Sequence, residues 1–293
     1  FLEFLVKAII GIIGGSGIDQ IEDLKGAQWN SVSSPFGKPS DDLLFGEINQ
    51  VPIVFLPRHG RGHKLTPTAI NYRANIDCLK RAGATDIISL SAVGSLKEEY
   101  MPGNFVLVDQ FIDRTVSREK TFFGEGCVAH VSFSHPISDR LQKALHSTCE
   151  DLGLSSHLGG TYICMEGPQF STFAESNLYR SWGCDVIGMT NMPEAKLARE
   201  AELPYATVAM VTDYDCWHPD HEAVSVESVI KVIEKNRDNA NLLLKNALPR
   251  IKVRPNKDIQ GGDRALDFAI VTSPENRDPK LVARLDAVAG RVL

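Results

Sequence analysis

The chain has 293 residues, and its 31 Lys and Arg against 37 Asp and Glu give a formal charge of −6. This acidic balance excludes a protein built mainly to bind nucleic-acid backbones. Hydrophobic residues make up 43% of the chain and charged residues 23%, which is typical of globular proteins and excludes disordered, collagen-like and disulfide-dense classes. The chain is long enough for a substantial core, and we expect a single domain.

The spacing of the cysteines and the hydropathy of the chain indicate in which cellular compartment the protein is found. The six cysteines include no CxxC pair, which excludes a zinc ribbon or a thioredoxin motif, and we expect them to be reduced. The apolar start, residues 1–13, is interrupted by Glu3 and lacks the basic residues and cleavage site of a signal peptide. No stretch approaches the roughly 20 apolar residues that a membrane span needs. We therefore expect a cytoplasmic protein whose partners include neither nucleic acid nor membranes.

Short apolar runs alternate with helical patterns through most of the chain. Runs rich in β-branched or aromatic residues predict five buried strands, at residues 8–13, 52–56, 86–90, 105–108 and 205–211. Apolar residues at helical spacing predict three helices, at residues 66–83, 137–153 and 226–247. The first of these helices is predicted to start with Thr66 as N-cap and Pro67 behind it. Strands that alternate with helices indicate an α/β fold around a central sheet.

The end of the chain is predicted as an extension, residues 251–293, that follows a domain of residues 1–250. A polar segment with paired glycines, residues 251–262, is the nearest feature to a linker. One terminal helix is predicted from four periodic apolar residues: Leu281, Val282, Leu285 and Val288. We expect this extension to pack on the same domain or on a neighbouring subunit.

A glycine-rich turn, Gly14-Gly15-Ser16-Gly17, directly follows the first predicted strand. Its backbone N–H groups can converge on an anion, and the Ser16 hydroxyl adds a donor. The turn matches neither the dinucleotide-binding GxGxxG pattern, nor the P-loop, nor the GxSxG nucleophile elbow. It therefore predicts either an anion site or only a tight turn after the strand.

Two further polar segments follow predicted strands. Residues 57–63, PRHGRGH, form either an oxyanion receptor, with Arg58 supplying a fork of donors, or a solvated basic loop. Residues 91–95, SAVGS, bring hydroxyls and small side chains to the end of the third strand. Because open α/β sheets bind ligands beyond the carboxyl ends of their strands, these segments and the glycine-rich turn predict one site.

Two carboxylates, Asp213 and Asp215, directly follow the strand at 205–211 and can address one edge of a ligand. A metal site is an alternative, since His218 and His221 are also ligand types. We expect no metal, because Pro219 makes the HxxH pair a poor helical pair and no other cluster supplies remote ligands. The third interpretation is that these carboxylates are ordinary charges on the protein surface.

The order of these segments resembles the purine nucleoside phosphorylase family, and within it the enzymes that act on 5′-methylthioadenosine. The similarity runs from about residue 10 to residue 247 and thins beyond residue 251. Seven motifs carry it in the family's order: GIIGGSG (11–17), PRHGRGH (57–63), LSAVGSL (90–96), QFIDRT (110–115), EGPQFSTFAES (166–176), GMTNMPEAKLA (188–198) and TDYDCW (212–217). The resemblance implies a single α/β domain with a central mixed β-sheet flanked by helices.

The resemblance also implies a reaction and its site. Phosphate attacks C1′ while the purine leaves, so that 5′-methylthioadenosine is reversibly converted to adenine and 5-methylthioribose 1-phosphate without a cofactor. The implied phosphate-binding residues are Ser16, Arg58, His59, Ser91, Ala92 and Thr190. Met189 is implied to pack along the ribose and Phe170 near the base. The residues implied at the purine edge are Ser171, Asp213 and Asp215, and the catalytic residues are Asp213, Asp215, Arg58 and His59.

An acid at purine N7 stabilises the charge that develops as adenine leaves, and a carboxyl there also accepts from the 6-amino group. An Asn suits 6-oxo purines better, so Asp213 favours adenine. One helix face holds Val226, Val229 and Ile230, which predicts either an apolar wall for the methylthio group or ordinary core packing. His130 matches a family position that approaches the sugar from an adjacent subunit, which implies a homotrimer with shared sites.

The sequence leaves three alternatives. A purine nucleoside or methylthioinosine phosphorylase shares the phosphate site, although Asp213 argues against a preference for 6-oxo purines. A hydrolytic nucleosidase does not need the anion receptor at Arg58 and His59. A nucleoside-binding protein without turnover is the alternative from another class.

Overall fold

The fold is that of a computed structural model, which describes residues 6–18, 21, 23–219, 226–254 and 262–293. Within these ranges, the side chains of residues 6–7 and 226–230 lie outside the description.

A mixed sheet of eleven strands forms the centre of the described chain, and a separate two-stranded ladder lies outside it. The strands are β1 Val6–Lys7, β2 Ile10–Gly14, β3 Lys25–Asn30, β4 Leu43–Ile48, β5 Val51–Pro57, β6 Asp86–Ser95, β7 Phe105–Leu107, β8 Gln110–Asp113, β9 Ser156–Leu158, β10 Thr161–Cys164, β11 Val186–Gly188, β12 Tyr205–Asp213 and β13 Val253–Arg254. The helices are α1 Tyr72–Arg81, α2 Asp139–Leu152, α3 Phe173–Ser181, α4 Asn191–Glu200, α5 Val226–Ile251, α6 Pro279–Arg284 and α7 Asp286–Ala289, with a 3₁₀ turn at Pro274–Asn276. The predicted α/β fold with a central mixed sheet is confirmed.

The long apolar runs of the sequence form the middle of the sheet. The order along the sheet is β3-β4-β5-β2-β6-β11-β10-β8, and β12 pairs with β6 and with β7, which in turn pairs with β9. Strands β5, β2, β6 and β12 are mutually parallel where they pair. All five residues of β2 are buried, as expected of a parallel strand covered on both faces. Because these strands run in one direction, the segments after β2, β5 and β12 emerge at one edge.

Strand β6 is longer than the sequence predicts, since it continues to Ser95 instead of ending at residue 90. Its last residues, Gly94 and Ser95, pair antiparallel with β11, while the preceding residues continue parallel to β12. The segment 91–95 is therefore part of the sheet and not a loop. Strands β3, β4 and β8 to β11 and helices α3 and α4 were not predicted. Their apolar runs are short, and β3 is largely exposed.

The start of the first helix was predicted wrongly. Helix α1 begins at Tyr72, and the side chain of Asn71 caps it by accepting a hydrogen bond from the Ala74 N–H at 3.1 Å. Thr66 and Pro67 lie in the turns before it. Both an Asn and a Thr-Pro pair are good starting signals, and only the packing of the preceding turns decides between them.

The other two predicted helices are confirmed. Helix α2 is capped by Ser138, whose Oγ accepts from the Leu141 N–H, and it ends at Gly153 with φ +66°. Only glycine takes that left-handed conformation without strain. Helix α5 runs four residues further than predicted, to Ile251.

The extension contributes to the same hydrophobic core. Leu266, Leu285 and Val288 are buried in it, and Arg291 pairs with Glu202 at 2.5 Å. The prediction of one terminal helix is wrong, because α6 and α7 are two short helices that meet at Leu285. A periodicity of only two turns does not distinguish one helix from two.

A buried acid at the end of α4 makes stability depend on pH. Glu200 accepts hydrogen bonds from Thr121 Oγ1 and from the Phe122 N–H, both at 2.7 Å. Burial is the largest influence and raises the pKa of Glu200 to about 7, although these hydrogen bonds oppose it. Unfolding restores its ordinary value of 4.5, so the folded acid retains a proton that the unfolded chain has lost.

We expect the free energy of unfolding to fall by about 2–3 kcal/mol as pH rises from about 4.5 to about 7 on account of this residue. The stabilisation is complete below the unfolded pKa and is lost as pH passes the folded pKa. Urea midpoints from pH 5 to pH 8 measure it. Glu200→Gln should remove this part of the slope, whereas Glu47→Gln, at an exposed position of β4, should retain it. An equal slope in both variants would contradict the assignment.

Candidate active site

A cavity of about 350 Å³ opens at the edge where β2, β5 and β12 end. The predicted site residues that line it are Ser16, Arg58, His59, Ser91, Ala92, Phe170, Met189, Thr190, Asp213 and Asp215. A larger and more open depression of about 1000 Å³ near Trp29 contains none of these residues. Residues from six separate stretches of sequence therefore meet in one place.

One end of the cavity is built on the turn after β2. A Cβ on Gly15 would stand 2.5 Å from the Leu90 carbonyl oxygen and 2.9 Å from Arg58 Nη1, so no larger residue fits there. Ser16 follows in the turn, and Ser91 Oγ lies 3.1 Å from Tyr162 Oη. A glycine backbone and hydroxyl groups thus line this end, which suits an oxyanion.

Helix α4 adds a further hydroxyl. Thr190 is the N-cap residue of α4, yet its side chain makes no capping hydrogen bond. Thr190 lines the cavity together with Ala92, which belongs to β6. We refer to the lining formed by Gly15, Ser16, Arg58, His59, Ser91, Ala92 and Thr190 as the anion end.

Arg58 directs most of its donors into the protein. Its Nε and Nη2 donate to the two carboxylate oxygens of Glu194 at 2.7 and 2.9 Å, and Nη2 also donates to Ser89 Oγ at 2.6 Å. Nη1 donates to the Leu90 carbonyl at 2.9 Å. Burial by itself lowers the pKa of Arg58, but the Glu194 carboxylate outweighs it and raises the pKa above its ordinary value. Glu194 therefore occupies the fork that the sequence assigned to an anion.

His59 is held in one tautomer. Its Nδ1 lies 2.8 Å from the Leu65 carbonyl oxygen, which can only accept, so Nδ1 carries the proton. The ring stacks on His63 with centroids 4.1 Å apart. Burial, with a smaller contribution from the charge of Arg58, lowers the pKa of His59 to about 4. Near neutral pH the ring is therefore uncharged, and its Nε2 is a hydrogen-bond acceptor.

The aspartates lie at the opposite end, where a β-bulge sets their direction. One extra residue, Thr212, stands on β12 before Asp213 pairs with Gly94 of β6. Asp213 Oδ2 accepts from Thr212 Oγ1 at 2.6 Å, and Oδ1 accepts from the Asp215 N–H at 2.8 Å. A Cβ on Gly94 would stand 2.9 Å from Asp213 Oδ1, so a larger residue there would displace this carboxyl group.

Both acids have a raised affinity for protons. Burial is the main cause and raises the pKa of Asp213, and the charge of Asp215 adds to it against the hydrogen bond from Thr212. Burial also raises the pKa of Asp215, against a smaller opposing influence of nearby polar groups. A carboxyl group that holds its proton more tightly than usual is suited to general acid catalysis.

The middle of the cavity is apolar. Phe170 is 48% exposed at its rim, and Met189 packs on Gly167, where a Cβ would stand 2.5 Å from the Met189 Sδ. Ser171, which was assigned to the purine edge, is not part of the described lining. Its hydroxyl donates to Met165 Sδ at 3.7 Å.

Helix α5 supplies an apolar residue that the site prediction omitted. Ile233 lines the cavity and packs on the glycine-rich turn, since a Cβ on Gly17 would meet its Cγ2. The proposed wall residues Val226 and Val229 lie on the same helix, but their side chains are outside the described part. Ile233 belongs to the same predicted helical periodicity as these residues.

A sequence profile of the phosphorylase superfamily matches residues 9–249, a span that contains all of the cavity lining. The chain belongs to the phosphorylase superfamily.

Four relatives of this chain are described as methylthioadenosine phosphorylases. The chain is 60% identical over 289 residues to the S-methyl-5′-thioadenosine phosphorylase of Bradyrhizobium diazoefficiens, covering 99% of each chain. It is 59% identical over 287 residues to that of Rhodospirillum rubrum, covering 98% of each. A methylthioadenosine phosphorylase structure from an Antarctic soil metagenomic library matches with TM-score 0.88 and 45% identity, covering 96% of this chain and 99% of that one. The Schistosoma mansoni methylthioadenosine phosphorylase in complex with adenine matches with TM-score 0.84 and 35% identity, covering 93% and 99%.

His130 and the loop after residue 62 remain to be placed relative to the cavity. His130 is exposed, and it lies outside the cavity lining of its own chain. Residues 63–67 also line the cavity, although the site prediction included only His63 of them, as the last residue of segment 57–63. The other four could have been included, because they continue the same loop.

Metal-ligand groups and membrane-spanning helices are the remaining features to be located in the structure. Among the described residues of the phosphorylase, no group of three or more His, Cys, Asp or Glu side chains is placed to hold a metal ion. His221, one of the candidate ligands, lies outside those residues. No helix in the described ranges combines the length and apolarity needed to cross a membrane.

Proposed function

We infer that the chain catalyses the reversible phosphorolysis of 5′-methylthioadenosine to adenine and 5-methylthioribose 1-phosphate. The observation that carries this inference is the cavity itself, which joins an oxyanion-binding end to a buried carboxyl group of raised pKa. Relatives that are about 60% identical over their full length are described as enzymes of this activity.

The chemical groups at the two ends of the cavity account for the steps of the reaction. A phosphate oxygen at the anion end forms a bond to C1′ while the bond from C1′ to N9 of the purine breaks. Asp213, at the other end, gives its proton to N7, so that adenine leaves neutral and Asp213 becomes a carboxylate. Because His59 Nε2 accepts, it suits a protonated oxygen of the phosphate.

The base preference is set by Asp213. A carboxyl group accepts a hydrogen bond from the 6-amino group of adenine, whereas a carboxylate repels the O6 of hypoxanthine. Ile233 and the helix that carries it provide an apolar boundary to the cavity, which favours a methylthio substituent over a hydroxyl.

Release of the base with and without phosphate tests this function. Adenine release from methylthioadenosine should require phosphate and should exceed hypoxanthine release from methylthioinosine or inosine. Equal release without phosphate would indicate a nucleosidase, and faster hypoxanthine release a 6-oxo phosphorylase. Tight adenine binding without turnover would indicate a binding protein.

The active unit that we propose is a homotrimer with shared sites. His130 stands on a surface segment that pairs with residues 269–271 through the His130 N–H and the Ala269 carbonyl at 2.9 Å. Exposed apolar side chains surround it, with Val271 at 68% and Phe268 fully exposed. A second apolar group, Phe170 and Phe173, is exposed at the cavity rim. Two different apolar surfaces suit head-to-tail contacts that close into a ring.

Complementation between two variants tests the shared site. His130→Ala and Asp213→Asn should each have low activity alone, because each damages every site of its own trimer. After the two are unfolded and refolded together, about a quarter of the sites should join an intact Asp213 to an intact His130 of the next subunit. Absence of restored activity, with mixed trimers shown by mass spectrometry, would contradict sharing. A catalytically competent monomer in sedimentation would do so as well.

A further inference from the structure

Helix α4 places one acidic residue directly behind the anion end. Glu194 is only 1% exposed, and it is not part of the cavity lining. Besides the two hydrogen bonds from Arg58, its Oε1 accepts from Ser89 Oγ and from Tyr205 Oη, both at 2.8 Å. Because Ser89 belongs to β6 and Tyr205 to β12, the carboxylate is held in place from two central strands.

Within the part of the chain that the structure describes, the hydrogen bonds of Arg58 leave one of its N–H groups without a partner. A guanidinium carries five N–H groups, and four of them point at Glu194, Ser89 and Leu90. The fifth belongs to Nη1, which is the atom that lies against Gly15 at the cavity wall. The orientation of this one N–H is therefore determined by the contacts on the far side of the guanidinium.

We propose that Glu194 is a positioning residue for phosphate. It clamps the plane of the Arg58 guanidinium so that only the free N–H of Nη1 is aimed at the anion end. This proposal rests on the phosphorolysis proposed above, since it concerns how the same site receives its co-substrate. Glu194 does not touch the ligand, and it acts through Arg58.

Two variants of Glu194 distinguish the effect of its position from the effect of its charge. Glu194→Asp keeps the negative charge but is one methylene shorter, so it cannot hold both arms of the fork. Glu194→Gln keeps the length but removes the charge and one acceptor. If Glu194 only balances the charge of Arg58, the Asp variant should resemble the parent and the Gln variant should bind phosphate more tightly.

We expect Glu194→Asp to raise the KM for phosphate by about 10- to 100-fold, which corresponds to the loss of an oriented, charge-assisted hydrogen bond. Glu194→Gln should raise it by a smaller factor. The dissociation constant for adenine, measured by calorimetry without phosphate, should be unchanged in both, because the base binds at the Asp213 end. An unchanged or lower KM for phosphate in the Asp variant would overturn the proposal.

Glu200→Asp is the matched control. Glu200 is a buried acidic side chain on the same helix that accepts from Thr121 and Phe122, outside the cavity lining. Shortening it should disturb α4 comparably without moving Arg58, so the KM for phosphate should stay at the parent value. An equal rise in this control would mean that α4 disorder, and not positioning, causes the effect.

A milder variant covers the case in which Glu194→Asp does not fold. Tyr205→Phe removes one hydrogen bond to Glu194 and leaves its charge, so the KM for phosphate should rise a few-fold with adenine binding unchanged. An unchanged KM in a folded Tyr205→Phe protein would then overturn the proposal. Phosphate-independent adenine release by the parent enzyme would refute phosphorolysis instead, so the two failures are distinguishable.

Discussion

Asp213→Asn should lower the turnover of methylthioadenosine by about 10² to 10⁴-fold, the range that is typical for removal of one general acid. The amide cannot give a proton to N7. The fold should survive, because the Asn oxygen can still accept from the Asp215 N–H. Its NH₂ can donate to Thr212, whose hydroxyl has a second acceptor in the Val93 carbonyl at 3.1 Å.

The same substitution should shift the base preference. An Asn amide can donate to O6, so the ratio of kcat/KM for methylthioinosine to that for methylthioadenosine should rise. Both substrates are assayed at saturating phosphate, and adenine binding by calorimetry provides the control for an intact site. Undiminished adenine release with an unchanged ratio would make Asp215 the base-recognition residue instead.

Arg58→Ala should reduce stability as well as phosphate use. The substitution leaves the Glu194 carboxylate buried and unpaired, and loss of one partner of a buried ion pair costs about 3–5 kcal/mol. The sequence assigns Arg58 to phosphate binding and gives no information about its contribution to stability. The contacts of Arg58 with Glu194 lead to the broader expectation, which urea unfolding measures.

Arg61→Ala is the control for this effect. Arg61 lies on the same loop, but its side chain is 47% exposed where it pairs with Asp41, so its loss should cost at most about 1 kcal/mol. Adding Glu194→Gln to Arg58→Ala removes the unpaired charge and should recover part of the stability. Equal losses for Arg58→Ala and Arg61→Ala would show that the buried pair contributes little.

Most of the site follows from local sequence. The glycine-rich turn, the PRHGRGH loop and the two aspartates each follow an apolar run, and parallel strands bring such segments to one edge of a sheet. That logic predicted that Ser16 and Arg58 belong to one site, because strand direction and side-chain chemistry are both readable from a single segment. Asp213 was assigned to the same site by the family resemblance. The apolar face of α5 is readable for the same reason.

The tertiary structure decided which atoms face the cavity and which are used within the protein. Glu194 lies 136 residues from Arg58 in sequence, and no local pattern shows that it occupies the guanidinium fork. The bulge at Thr212 and the continuation of β6 to Ser95 arise from pairing between distant strands. Burial likewise sets the proton affinities of His59 and Asp213, since desolvation depends on everything that packs around a group and not on its neighbours in sequence.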